Sequence, residues 1–121
     1  MEMKLELVPV PVTDVDRAIE FYKKVGFNLD HDHNVKPGLR FVQLTPPGSA
    51  CSIVIGEGVT EMKPGSQQGL QVVVADARKA YEELKQRGIE VSDIQEMPWG
   101  TFTFFSDPDG NTWSVQQLPK Y

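Results

Sequence analysis

The chain has a single cysteine, Cys51. That excludes an intrachain disulfide framework and a multi-cysteine metal knuckle. Histidine is scarce too, with His31 and His33 the only two. No apolar run approaches the ~18–20 residues of a membrane-spanning helix. The opening MEMKLELVPV lacks the pattern of a signal peptide. Positive charge is in deficit: 12 basic residues against 17 acidic ones leave a net charge of −5. Nucleic acid and anionic membrane are therefore poor partners. A glycine-rich phosphate loop is missing, since Gly56, Gly58 and Gly65 do not follow its spacing. So is a serine nucleophile elbow. What is present suits one folded domain: 121 residues, 40% hydrophobic and 24% charged. The expectation is a soluble cytoplasmic domain.

The chain repeats itself at an offset of 62 residues, from Val8 to Leu70. Val8, Val10, Val12 and Asp14 match Leu70, Val72, Val74 and Asp76, and Gly26-Phe27 matches Gly88-Ile89. Few pairs are identical, but each match falls at a structural punctuation point. Residues 4–12 and 69–75 alternate with period two and read as strands. Asp14 and Asp76 sit where a side-chain oxygen caps free helix N–H groups. Helical stripes follow, Val15, Ala18, Ile19, Tyr22 and Val25, then Ala77, Ala80, Tyr81 and Leu84. Gly26 and Gly88 stop them. Three strands complete each half, at about 27–34, 39–45 and 50–56, then 89–96, 101–106 and 111–118. The predicted fold class is α+β: two tandem βαβββ modules forming a curved eight-stranded cleft sheet with helices outside. The modules span about 1–56 and 69–121, joined by a linker over 57–68 that carries Gly58, Pro64, Gly65 and Ser66. Pro9 and Pro11 cannot donate to a ladder, so the first strand belongs at an edge.

The helices must cover the apolar strand faces. These are expected to carry Val8, Val10, Val42, Leu44, Ile53 and Ile55 in the first half, and Leu70, Val72, Phe102, Phe104, Trp113 and Val115 in the second. The opposite face then mixes aromatic and neutral polar side chains. It holds Leu7, Pro9, Phe41, Gln43, Ser52 and Val54, then Gly69, Gln71, Val73, Thr101, Thr103, Phe105, Ser114 and Gln116. Such a face suits a cleft for a neutral, partly aromatic small molecule. It equally suits packing against a second sheet or a second chain.

The βαβββ repeat, the run Val12-Thr13-Asp14-Val15-Asp16-Arg17-Ala18-Ile19-Glu20-Phe21-Tyr22 ending at Gly26-Phe27, and Asp107-Pro108-Asp109-Gly110-Asn111 before Trp113 resemble the vicinal oxygen chelate superfamily. That superfamily includes glyoxalase I, extradiol dioxygenases and fosfomycin- and bleomycin-resistance proteins. Its metal-dependent members carry a His on the first strand of each half and a Glu or other ligand on the last. The resemblance puts those positions at Leu7, Gly69 and Ser114, with Ser52 by the repeat offset, or Val54 if that strand slips by two. None is a His or a carboxylate, and a divalent ion needs several such ligands converging. The resemblance thus implies that the family metal site is lost, with no cofactor. Glu96-Met97-Pro98-Trp99-Gly100 and Val8-Pro9-Val10 resemble segments of bleomycin-resistance proteins, which bind a drug without metal between two subunits.

The expected act is to bind a small organic molecule in a metal-free cleft lined by Phe41, Gln43, Gln71, Thr103, Phe105, Ser114 and Gln116, with Trp99 at the rim. A homodimer is expected, because short strands leave open edges. Trp99 stacks on a flat ligand in this reading, or simply covers its own turn. The alternative is a metal-dependent lyase, isomerase or dioxygenase with a relocated site at His31, His33 or Gln71. A dimer with no ligand is a third possibility. Asp30-His31-Asp32-His33 otherwise reads as a solvated strand end, and Cys51 as a small buried hydrophobe. Glu57 or Glu96 would be the acid or base of an enzyme.

Overall fold

Both helices begin as their capping aspartates dictate. Arg17 N–H donates to Asp14 Oδ1 at 3.0 Å and Lys79 N–H to Asp76 Oδ1 at 3.1 Å. Each such cap is worth about 1 kcal/mol. A computed structural model describes residues 1–120; Tyr121, the last residue of the second module, lies outside the described residues. The order of elements is β1 (Leu7–Pro9), α1 (Val15–Val25), β2 (Asn28–Lys36), β3 (Leu39–Thr45), β4 (Ser52–Glu57), β5 (Leu70–Val73), α2 (Ala77–Gln86), β6 (Gln95–Met97), β7 (Gly100–Ser106) and β8 (Thr112–Gln117). This is βαβββ twice over. The eight strands divide into two sheets of four, ordered β1-β4-β3-β2 and β5-β8-β7-β6. In each sheet the first strand of the module runs parallel to the last and forms an edge.

Two strands are shorter than their patterns suggest, each for a local reason. The run 4–12 yields only Leu7–Pro9, because Pro9 and Pro11 have no N–H to donate. Pairing reaches one residue further at each end, through Ser52 N to Glu6 O and Val10 N to Val54 O. The run 89–96 yields only Gln95–Met97. There Ser92 keeps one ladder bond, its N–H donating to the Phe104 carbonyl at 2.9 Å, while its side chain stands in for its carbonyl in the other. Its Oγ accepts from Phe104 N at 3.0 Å, and its carbonyl accepts from Thr103 Oγ1 at 2.7 Å.

One apolar core runs between helices and sheets, and it crosses the module boundary. Tyr22 of α1 meets Trp113 of β8 edge-on at 5.9 Å, and Phe105 of β7 stacks on Trp113 at 5.9 Å. The Tyr22 hydroxyl accepts from Trp113 Nε1 at 3.0 Å and donates to the buried Asp107 at 2.8 Å. Among the described residues, no helix is long and apolar enough to cross a membrane.

Arg40 ties three elements together at the surface. It grips Asp32 of β2 with two bonds, at 3.0 and 2.9 Å, and reaches Asp16 of α1 at 3.0 Å. The Arg40 hydrogen bonds hold the Asp32 carboxyl below the usual carboxylate range. A lowered folded-state pKa stabilises the protein above the unfolded carboxylate pKa of about 3.9, and that stabilisation is lost as pH falls through the folded value. Arg40→Ala is expected to cost up to about 1 kcal/mol at pH 7, the scale of a largely exposed pair. The gap from wild type should close as pH falls below the unfolded carboxylate pKa of about 3.9 in urea unfolding. A gap that does not change with pH would refute the assignment.

Candidate functional site

Strand register decides which side chains share the face away from the helices. In the first sheet Gln43 lies opposite Val54, which pairs on its other side with Pro9, and Phe41 lies opposite Gly56. Val42 and Leu44 alternate into the core opposite Ile55 and Ile53. These placements match the sequence reading. In the second sheet Gln71 lies opposite Ser114 and Val73 opposite Gln116, again on the helix-free face.

Strand β7 differs from expectation. Thr103 pairs with Val115 and Phe105 with Trp113, so both share the buried, helix-facing side. Neither lies on the helix-free face. Phe102 pairs with Gln116 and Phe104 with Ser114, which puts those two aromatics on the helix-free face. Their rings stack there at 5.8 Å. The run Thr-Phe-Thr-Phe-Phe carries aromatics at both parities, so alternation could not choose between the faces. Thr103 can be 0% exposed because its hydroxyl is satisfied by the Ser92 carbonyl. Sequence reasoning therefore missed Phe102 and Phe104. The partner register was the missing signal.

The histidines are exposed, and they also face the site. A register shift between Leu29 and His31 takes Asp30 out of step with β3. His31 then lies opposite Gln43 and His33 opposite Phe41, with the two rings stacked 5.7 Å apart. Glu57 and Glu96 are exposed, and Glu96 has only a 3.9 Å approach to Arg78. Cys51 is partly buried, its thiol 3.6 Å from the Ser52 carbonyl.

The polar side chains of the face are linked. Gln43 Nε2 donates to Ser52 Oγ at 3.2 Å, and Ser52 Oγ lies 2.6 Å from Thr45 Oγ1, which donates to Asp30. In the second sheet Gln71 Nε2 donates to Gln116 Oε1 at 2.6 Å, and Gln116 Nε2 donates to the Trp99 carbonyl at 2.8 Å. Trp99 itself is 60% exposed. Two openings lie near the second sheet, and Phe105 borders both. One, of about 600 Å³, is bounded by Glu90, Ser92, Phe104, Trp113 and Ser114. The other, of about 510 Å³, lies between the helices and the β5 edge, bounded by Val25, Ala80, Leu84, Arg87, Phe105 and Pro46 to Ser49, and so opens mainly on the helix side. Both volumes are in the range of small-molecule sites.

The metal positions implied by the resemblance can now be placed. Pro9 and Gln71 are equivalent in the repeat and pair with Val54 and Ser114, so Val54 rather than Ser52 is the counterpart of Ser114. The four positions are Leu7, Val54, Gly69 and Ser114, and this donor set does not fit a divalent ion. Among the described residues, no group of three or more His, Cys, Asp or Glu side chains is placed to hold a metal.

The chain is similar to known proteins over nearly its full length. It is 31% identical to the uncharacterized protein YetH of Bacillus subtilis (strain 168), covering 97% of this chain and all of YetH. The crystal structure of TnmS3, an antibiotic binding protein from Streptomyces sp. CB03234, superposes with a TM-score of 0.88 at 34% identity and 98% coverage of both chains. A superfamily member from Sphaerobacter thermophilus DSM 20745 gives a TM-score of 0.83 at 31% identity, covering 96% of this chain and 98% of that one. The model of the Glyoxalase/Bleomycin resistance protein/Dioxygenase superfamily matches residues 4–115. With two βαβββ modules in place and the family model spanning both, the chain belongs to the glyoxalase/bleomycin resistance protein/dioxygenase superfamily.

Proposed function

We propose that the protein binds a small, neutral, largely aromatic organic molecule on its helix-free sheet face, in the cytoplasm, without a metal ion at the superfamily's ligand positions. The observation that carries this reading is the residue set at those positions: Leu7, Val54, Gly69 and Ser114 offer one hydroxyl and no imidazole or carboxylate. The helix-free face carries Phe41 and the amide of Gln43 in the first sheet, and Phe104, Val73 and the amide of Gln71 in the second. Aromatic area with a few placed polar groups is what such a ligand needs. The likeness to TnmS3 supports the same class of act. Two copies pair in this reading. Exposed Val73, Leu5 and Leu118 and the open edges of both sheets are the surfaces that favour it.

Thermal shift with two panels tests this. Neutral polycyclic aromatics are expected to raise the melting temperature; a ligand at one hundred times its Kd adds about 2.7 kcal/mol. Mn²⁺, Ni²⁺ and Zn²⁺ are expected to leave it unchanged. Light scattering should give twice the 13.6 kDa chain mass. A metal-specific rise reversed by EDTA would overturn the metal-free reading. If that rise also disappears in His31→Ala and His33→Ala, the metal sits at the histidine pair, as the second reading, a metal-dependent enzyme with a relocated site, requires. The stacked histidine pair beside Gln43 and Phe41 is what favours that reading.

A further inference from the structure

The Trp99 backbone carbonyl can only accept a hydrogen bond, and that fixes the polarity of everything joined to it. Gln116 meets it with Nε2 at 2.8 Å, so Gln116 Oε1 must point the other way. Gln71 meets that oxygen with its own Nε2 at 2.6 Å. Turning either amide over would set oxygen against oxygen or nitrogen against nitrogen. Gln71 Oε1 is therefore left as an outward acceptor, and no protein group among the described residues donates to it. Gln71 is exposed on the helix-free face, directly opposite Ser114 and one pair along from Val73 and Gln116.

Gln116 is built to hold this arrangement. It is 7% exposed, and both ends of its amide are occupied. Gly100 makes room for it. A Cβ at Gly100 would lie 3.1 Å from Gln116 Nε2 and 2.6 Å from the Gln117 carbonyl oxygen. Gln116 is thus a positioning residue rather than a ligand contact. The Ser114 hydroxyl rotates and can donate or accept, so it imposes no preference.

We propose that Gln71 Oε1, oriented by Gln116 and the Trp99 carbonyl, selects ligands that present a hydrogen-bond donor on a flat aromatic body: phenols and neutral aromatic N–H compounds. Ethers and deprotonated phenols of the same shape are disfavoured, since each sets a second acceptor against Gln71 Oε1. This rests on the reading of the face as an aromatic-ligand site.

The test compares naphthol with its methyl ether, methoxynaphthalene, by calorimetry on wild type, Gln71→Leu and Gln116→Met, alongside the side-chain amide spectrum of the ligand-free protein. Wild type is expected to prefer naphthol by about five- to tenfold, the worth of one net hydrogen bond. Gln71→Leu is expected to bind both probes with a ratio near one. Gln116→Met should also bring the ratio near one although it leaves the Gln71 side chain in place. Without ligand, the Gln116 amide protons should be protected from exchange in wild type and stay protected in Gln71→Leu, because the Trp99 carbonyl accepts from them in both. Equal binding of both probes by wild type, or unprotected Gln116 amide protons, overturns the polarity while leaving the binding reading standing. Failure of both probes to bind, with protected amides, overturns the aromatic-site reading and the selectivity with it.

Discussion

Asp107→Ala is expected to destabilise the protein by roughly 3–5 kcal/mol, and to lower its melting temperature by roughly 10–20 °C. Asp107 is 5% exposed and satisfies four donors at once. Its Oδ2 accepts from the Tyr22 hydroxyl and from Asn111 Nδ2, each at 2.8 Å, and its Oδ1 accepts from the backbone N–H groups of Asp109 and Asn111, each at 3.0 Å. Alanine would remove the partner of all four, three of them in buried bonds, and each orphaned buried donor costs about 1–3 kcal/mol. Burial, and then the adjacent Asp107 carboxylate, push the Tyr22 pKa well above the ordinary tyrosine value, so the phenol remains a donor throughout the working pH range. Asp107→Asn keeps the shape but turns an NH₂ toward some of the same donors, and should recover only part of the loss. Urea unfolding measures both. A loss under about 1 kcal/mol for the alanine variant would show that water replaces the carboxylate.

Gly56→Ala is expected to cost about 2–4 kcal/mol. Gly56 has φ of 151°, and a Cβ there would lie 1.9 Å from the Arg40 carbonyl oxygen. That oxygen belongs to the neighbouring strand, so relief requires β3 and β4 to separate around the pair Phe41 and Gly56. Gly38→Ala is the control. Gly38 also has a positive φ, 81°, but its Cβ would meet nothing within 4 Å. It should cost only the backbone strain, about 1–2 kcal/mol. Equal losses in the two variants would mean that the steric contact at Gly56 relaxes freely. Amide shifts at Phe41 should move in Gly56→Ala alone.

The parts of this fold that were legible from the sequence are those set by local chemistry. Asp14 and Asp76 announced their helices because only a short polar side chain satisfies the free N–H groups there. Pro9 and Pro11 announced an edge strand because they cannot donate. The parts that were not legible depend on a partner strand. Whether Phe104 or Phe105 faces the helices is decided by pairing with Ser114 and Trp113, some ten residues on. The histidine face is decided by one unpaired residue at Asp30, which shifts register without altering composition. Ser92 offers its hydroxyl to Phe104 N–H where its carbonyl would pair, a substitution that alternation cannot reveal. Of the candidate site, Ser114 was readable because β8 carries apolar residues at one parity only, and Gln43 and Gln71 because each sits between two core residues, Val42 and Leu44 or Leu70 and Val72. Gln116 was found on the right face, but its use as a brace for Trp99 needed coordinates.

The bond between Trp113 and Tyr22 joins a side chain of the second repeat to one of the first. An ancestor with one βαβββ unit could have had no such bond within a single chain. Each half now finishes the other's interior, so grafting one half from a relative should work only when the tyrosine, the tryptophan and the aspartate travel as a set.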